Sequence, residues 1–408
     1  MKDMIVISED SRTWRATRAG GWVAVIVIAV LLPWILGSPA NIGYAAQIAA
    51  YGVAILGLNL LLGYTGQISL GHSAFVGVGA YTTLLLVTDR NWPYLETLPV
   101  AIVAGFVLGL IVGLPSLRLG GLYLAAVTLG VSVVFPLVID RFQGLTGGPI
   151  GIFPSNQFNA PSWFLPNGNA EFRSATAQYL VIIAVTGVLF LCVRNLVRSR
   201  IGRALVAIRE SPISAETFGV RVGVYKTLVF GVSGALAGAA GTLLMIQTPL
   251  ANDSTFTSTM SVFLLVSLII AGRGPLSSAL PGGAIYVLLV ILIPSWITSA
   301  GLFQNREGGG GIAGVLAGVA LLVFVFILPS GLVNGLRDVR QRYIRFVPRA
   351  GAAQAPAAAE SASGGSAPTP PLTCDQSRPV TREQDPVDRP PMRTEAPETL
   401  LPRHPSPP

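Results

Sequence analysis

Runs of apolar residues recur along this chain, separated by short polar breaks. A hydrocarbon core about 30 Å thick needs roughly 20 helical residues to cross it. Residues 21–37, 44–62, 97–114, 121–139, 179–197, 227–247, 276–297 and 312–329 meet that requirement. Residues 74–88 and 256–271 are shorter or more polar and are counted with them. Because a chain in lipid has to satisfy its backbone polar groups internally, the pattern predicts an all-α integral membrane protein with about ten transmembrane helices.

Composition sharpens this reading. Of 408 residues, 51% are hydrophobic and 11% charged, and the mean hydropathy is +0.63. A soluble domain carries about 25% charged residues, so a soluble class is excluded. Through Arg349 there are 22 Lys/Arg against 12 Asp/Glu, whereas residues 350–408 hold 5 against 7 and 13 of the 30 prolines. Three parts follow: a cytoplasmic N-terminal segment at 1–19, a transmembrane domain at 20–349, and a disordered Pro/Ala-rich cytoplasmic tail at 350–408 that cannot bury a core.

Charge also sets the orientation. With the N-terminus inside, eighteen Lys/Arg of the body fall on inward segments and only Arg90, Arg141, Arg173 and Arg306 fall outside. That bias obeys the positive-inside rule and places both termini of a multi-pass membrane protein in the cytoplasm. Ser38-Pro39-Ala40 is a poor cleavage site, so the first helix is expected to be retained.

Several chemistries drop out. Cys192 lies in an apolar run and Cys374 in the tail; His72 and His404 are far apart, so no metal cluster or disulfide framework can be assembled from them. Neither Lys2 nor Lys226 sits in a P-loop, so this chain is not expected to hydrolyse ATP. Asp89, Glu96, Asp140, Glu171, Asp253 and Glu307 all fall at span ends or in outward loops, where they cannot form a proton relay at membrane depth. The energy for any transport is therefore expected from a partner.

Three polar segments carry candidate function. The first, Gly63-Tyr64-Thr65-Gly66-Gln67-Ile68-Ser69-Leu70-Gly71-His72, follows the second span without a charged loop. Its glycines weaken the helix, and irregular backbone at membrane depth is tolerated only where it is buried in protein or lines a cavity. It reads either as a broken helix or re-entrant turn beside a solute path, with Gly63, Tyr64, Gly66, Gln67, Ser69, Gly71 and His72 as pathway residues, or as a tight cytoplasmic turn with small-residue helix packing. The second segment, Ser199 to Tyr225, predicts an amphipathic helix over 202–210 with Leu205 and Ile208 on one side and Arg203 and Arg209 on the other. Ser211-Pro212 stops it, and a second short helix brings Ala215, Phe218 and Gly219 toward one face. The third surrounds Gly272-Arg273-Gly274-Pro275. A helix over 258–271 rises only about 21 Å, so it is either tilted or a broken element with Arg273 facing the inner water.

Gly57-Leu58-Asn59-Leu60 followed by Gly63 through His72 resembles the signature of permeases of high-affinity branched-chain amino-acid ABC importers, in their LivM branch. The similarity continues at Thr146-Gly147-Gly148, Gly151-Ile152, Gly202-Arg203-Ala204, Ala207-Ile208-Arg209-Glu210, Ala215-Glu216 and Phe218-Gly219-Val220, and spans roughly residues 20–345. The resemblance implies a heterodimer with a second related permease, two ATP-binding subunits that carry the ATP and Mg, and an extracytoplasmic solute-binding protein. It assigns ATPase coupling to Gly202, Arg203, Ala204, Arg209, Glu210, Ala215, Glu216 and Gly219. No cofactor on this chain and no nucleic-acid partner are expected. The function expected is translocation of branched-chain amino acids, or of a similar small polar solute such as urea or amides. The alternative is a self-sufficient channel or secondary carrier for a small neutral solute.

Overall fold

The structure is a computed structural model that describes residues 27–117, 121–154, 158, 170–299 and 318. The expected segments at 1–19 and 350–408 lie outside the described residues, as does 312–329 apart from residue 318. What is described is helical apart from one isolated bridge, Ile152 with Ala251. In chain order the helices are α1 (Val27–Leu36), α2 (Pro39–Asn59), α3 (His72–Arg90), α4 (Tyr94–Gly113), α5 (Leu122–Arg141), the single turn α6 (Gln143–Thr146) and α7 (Ala170–Arg198). They continue as α8 (Arg200–Glu210), α9 (Pro212–Thr217), α10 (Val222–Gln247), α11 (Ser258–Ala271), α12 (Ala279–Val287) and α13 (Ile293–Ser299).

Among the described residues, six helical rods are long and apolar enough to cross a membrane: Pro39–Thr65, Tyr94–Leu117, Leu122–Arg141, Ala170–Arg198, Val222–Gln247 and Leu276–Trp296. Of the other expected spans, 21–37 is described only from residue 27 and 312–329 only at residue 318, while 74–88 and 256–271 are less apolar or shorter. Helix α3 has 19 residues, but Gly, Ser and Thr dilute it; α11 has 14. Helix α7 begins nine residues before the apolar run that announced it, and its 29 residues reach about 43 Å, well beyond a 30 Å core.

The bundle is organised around α2 and α10. The apolar window of α10 is 89% buried, against 17% for α7 at the periphery. The sequence explains this centrality, since α10 carries Gly234, Gly238 and Gly241, on which neighbouring backbones lie directly, and Gly231, on which the Phe106 and Leu110 side chains pack. A Cβ on Gly234 would strike the Gly105 carbonyl of α4, one on Gly238 the Ala101 carbonyl, and one on Gly241 the Val76 carbonyl of α3. Lipid supplies no hydrophobic drive between helices, so close backbone approach at small residues is what holds them. Hydroxyls and amides add cross-links: Thr83 with Thr242 at 2.8 Å, Ser233 Oγ donating to the Gly57 carbonyl at 2.8 Å, and Gln47 Nε2 donating to Gln247 Oε1 at 2.8 Å.

Candidate permease site

Helix α2 does not end cleanly. Its last turn, Leu60–Thr65, widens into a π-helix and stops at Gly66, whose φ of +70° is left-handed and suits glycine. The chain then runs irregularly to His72, where α3 starts. The segment is therefore an irregular break between two helices inside the bundle.

The break is pinned on several sides. His72 Nε2 lies 2.8 Å from the Ala54 carbonyl of α2. The Leu70 backbone N–H donates to Thr128 Oγ1 of α5 at 2.9 Å, and the Ser73 N–H donates to Ser261 Oγ of α11 at 2.8 Å. Thr65 Oγ1 donates to the Leu61 carbonyl at 2.7 Å and lies 3.1 Å from the Gln67 side-chain amide. The result is an alternation in exposure. Gly63, Thr65, Gln67, Ser69, Gly71 and His72 are buried, whereas Tyr64, Ile68 and Leu70 are half-buried and Gly66 is exposed. Ser69 Oγ and His72 Nδ1 are buried without a hydrogen-bond partner among the described residues.

The segment at 272–278 joins this break. Helix α11 ends at Gly272, φ +113°, and Gly274 has φ +100°. Arg273 is exposed between these two glycines. Asn59 holds the loop: its Oδ1 accepts the Gly274 N–H at 3.0 Å and its Nδ2 donates to the Pro275 carbonyl at 3.0 Å. Gly63 packs between Asn59 and Gly274, where a Cβ would collide with both. Asn59 was legible only as one residue of a longer motif. The signal that singles it out is an amide toward the end of the apolar run 48–62, which has to be hydrogen-bonded when buried.

The second segment folds as its punctuation predicts. Ser199 caps α8, its Oγ accepting the Ile201 N–H at 3.1 Å. Ser211 closes α8 and caps α9 by accepting the Ser214 N–H at 3.2 Å, with Pro212 at the first helical position. Gly219, φ +80°, ends α9, its N–H donating to the Glu216 carbonyl at 2.9 Å, while the Val220 N–H reaches the Ala215 carbonyl at 3.1 Å. Gly202 sits tight against the Val197 carbonyl where α7 bends into α8. Ile208, Ala215 and Val222 form a small core that fastens both helices to the foot of α10.

Arg203, Glu210 and Glu216 are exposed, and Ala204 is half-buried. Ala215, expected to face a partner, is buried instead, because its methyl group completes that small core. The outward apolar residues are Ile213, 78% exposed, and Phe218, 86% exposed. Arg209 is exposed, its side chain 43% accessible, yet one end reaches the break: its Nη1 donates to the Gly63 carbonyl at 2.8 Å, and its Nη2 pairs with Glu210 Oε1 at 2.8 Å. The first and second segments are therefore in direct contact. No group of three or more His, Cys, Asp or Glu able to hold a metal occurs among the described residues.

The pattern of the family described as "Branched-chain amino acid transport system / permease component" matches residues 41–328. This chain belongs to that permease family. The permease is 31% identical over 275 residues to the high-affinity branched-chain amino acid transport system permease protein LivM of Escherichia coli (strain K12), and 30% identical over 275 residues to that of Salmonella typhimurium. Each alignment covers 62% of this permease and 63% of the relative, so the permease spans just under two thirds of the length of these curated proteins. It is also 22% identical over 303 residues to the permease protein LivH of Salmonella typhimurium, covering 70% of this chain and 92% of that one. No solved structure matches.

Proposed function

We propose that this permease is the membrane-spanning subunit of an ABC importer that moves branched-chain amino acids, or a similar small polar solute, using ATP hydrolysed by partner subunits. The observation that carries the proposal is the α8–α9 unit: a capped pair of helices anchored from behind by Ile208, Ala215 and Val222, presenting Ile213 and Phe218 outward. A large apolar side chain exposed on a rigid polar segment outside the spans is a natural anchor for a protein partner. Membership of the permease family supports an ATP-binding subunit as that partner, with ATP and Mg carried there.

In the same reading, a second related permease completes the pathway and an extracytoplasmic binding protein delivers the solute. The chain crosses the plasma membrane about ten times, counting the shorter helices and the 312–329 segment, with both termini in the cytoplasm. The path residues are neutral. A zwitterion needs temporary hydrogen-bond partners, whereas a deep charged site would hold it too tightly to release, so Gln67, Ser69, His72 and backbone freed at Gly63, Gly66 and Gly71 suit transient contact.

The test is reconstitution in vesicles with both permeases, both ATPases and the binding protein. Uptake of radiolabelled leucine, isoleucine or valine should require ATP and every subunit. Uptake by this chain alone, indifferent to ATP, would instead establish a self-sufficient carrier.

A further inference from the structure

The Leu60–Thr65 turn has a problem common to all helix ends: its last carbonyls have no intrahelical donor. Part of the need is met locally, since the Gly66 and Gln67 N–H groups and Thr65 Oγ1 all converge on the Leu61 carbonyl. The Gly63 carbonyl is served from outside the helix, by Arg209 Nη1 at 2.8 Å across 146 residues of sequence. A cation at a helix C-terminus is also favoured by the helix dipole. Glu210 orients the guanidinium by taking its other nitrogen, and the Arg209 stem lies against Gly66, where any Cβ would touch its Cγ at 3.4 Å.

The far side of the same junction is equally tied. Gly63 leaves room for Asn59 and Gly274 to meet, and Asn59 also draws in Pro275 and Ser278. One residue of the broken helix thus touches the α8 arginine on one side and the 272–278 loop on the other.

We propose that Arg209 is a positioning residue that tethers the broken end of α2 to α8, so that displacement of the α8–α9 unit pulls on the Gly63–His72 segment. The proposal rests on the importer reading for what displaces α8, but the tether belongs to this chain. Arg209 is therefore assigned to transmission within the permease and not to the partner's surface.

The experiment has two arms. In the reconstituted complex, Arg209→Ala should lower solute imported per ATP hydrolysed about tenfold, the equivalent of about 1.4 kcal/mol, and Arg209→Lys should recover most of it. In the second arm the full chain alone, in lipid vesicles and with Cys192 and Cys374 changed to Ser, carries Ile68→Cys. Its reaction with a small water-soluble thiol reagent should rise about tenfold on adding Arg209→Ala and fall back with Arg209→Lys. A Ser267→Cys control on α11 should not change. An unchanged import-to-ATP ratio overturns the proposal, as does unchanged Ile68→Cys labelling or a parallel rise at Ser267→Cys, which would mean general loosening. A wild-type complex without ATP-driven uptake would defeat the importer reading, and the labelling arm would still decide the tether.

Discussion

Asn59 and Gly274 meet at 3.0 Å through a side-chain oxygen and a backbone N–H, joining two helix breaks 215 residues apart. With its Nδ2 on Pro275 and within 3.4 Å of Ser278 Oγ, the Asn59 amide meets the loop with both its acceptor and its donor group. Leucine has nearly the same shape and none of these bonds. Asn59→Leu should destabilise the protein by about 2–4 kcal/mol, since the Gly274 N–H and Pro275 carbonyl lose their partner. Asn59→Asp should preserve the first bond and lose the second. Thermal unfolding of detergent-purified protein checks the order, with the leucine variant the less stable.

Close backbone contact at α10 gives a paired expectation. Gly238→Ala places a methyl group on the Ala101 carbonyl and should cost about 1–3 kcal/mol. Gly187→Ala on α7 meets nothing within 4 Å and should be neutral or stabilise by up to about 1 kcal/mol. Comparing the two by unfolding midpoint separates helix packing from helix propensity, and equal effects would refute the close-packing account of α10.

Much of this architecture was legible because apolar runs and punctuation carry it. Residues 202–210 showed their amphipathic spacing, and Ser211-Pro212 marked the join at which α8 ends and α9 begins. Helix α7 was announced only from residue 179, because hydropathy marks the part at lipid depth while hydrogen bonding extends the helix back through Arg173 and Glu171 to Ala170. The π-turn at Leu60–Thr65 left no trace in composition, since a widened turn uses the same apolar residues as an ordinary one. At the site, the glycine spacing from Gly63 to Gly71 exposed the break. Which side chains point outward was not readable, because Thr128, Ser261 and Arg209 decide it from distant parts of the chain.

Phe218 and Gly219 are adjacent but should fail differently. Phe218 is exposed, so Phe218→Ala should leave unfolding unchanged while weakening ATPase association about thirtyfold, the effect of losing roughly 2 kcal/mol at an interface anchor. Gly219 holds a left-handed backbone, so Gly219→Ala should instead destabilise the α8–α9 unit by about 1 kcal/mol. Co-purification of the ATPase subunits, measured beside proteolysis of the loop, distinguishes the two. Normal ATPase binding by the Phe218 variant would remove that residue from the docking surface.

The alternation at the helix break yields the most detailed expectation. From Gly63 to Gly71 the odd-numbered residues are buried and the even-numbered ones are at least partly open, because Gly66 reverses the backbone at the end of the π-turn and the hydrogen bonds at Gln67 and Leu70 fix the irregular run that follows. Single cysteines in a background lacking Cys192 and Cys374 should therefore react with a small thiol reagent in a period of two. Positions 64, 66, 68 and 70 should label readily in the chain alone, and 65, 67, 69 and 71 slowly. If Gln67 and Ser69 serve the solute path, their cysteines should become reactive in the assembled importer when ATP is bound, as the break opens. A pattern that stays alternating in every state would mean that the even-numbered face, and not Gln67, Ser69 and His72, meets the solute. A flat pattern in the chain alone would contradict the packing of this segment against α5 and α11.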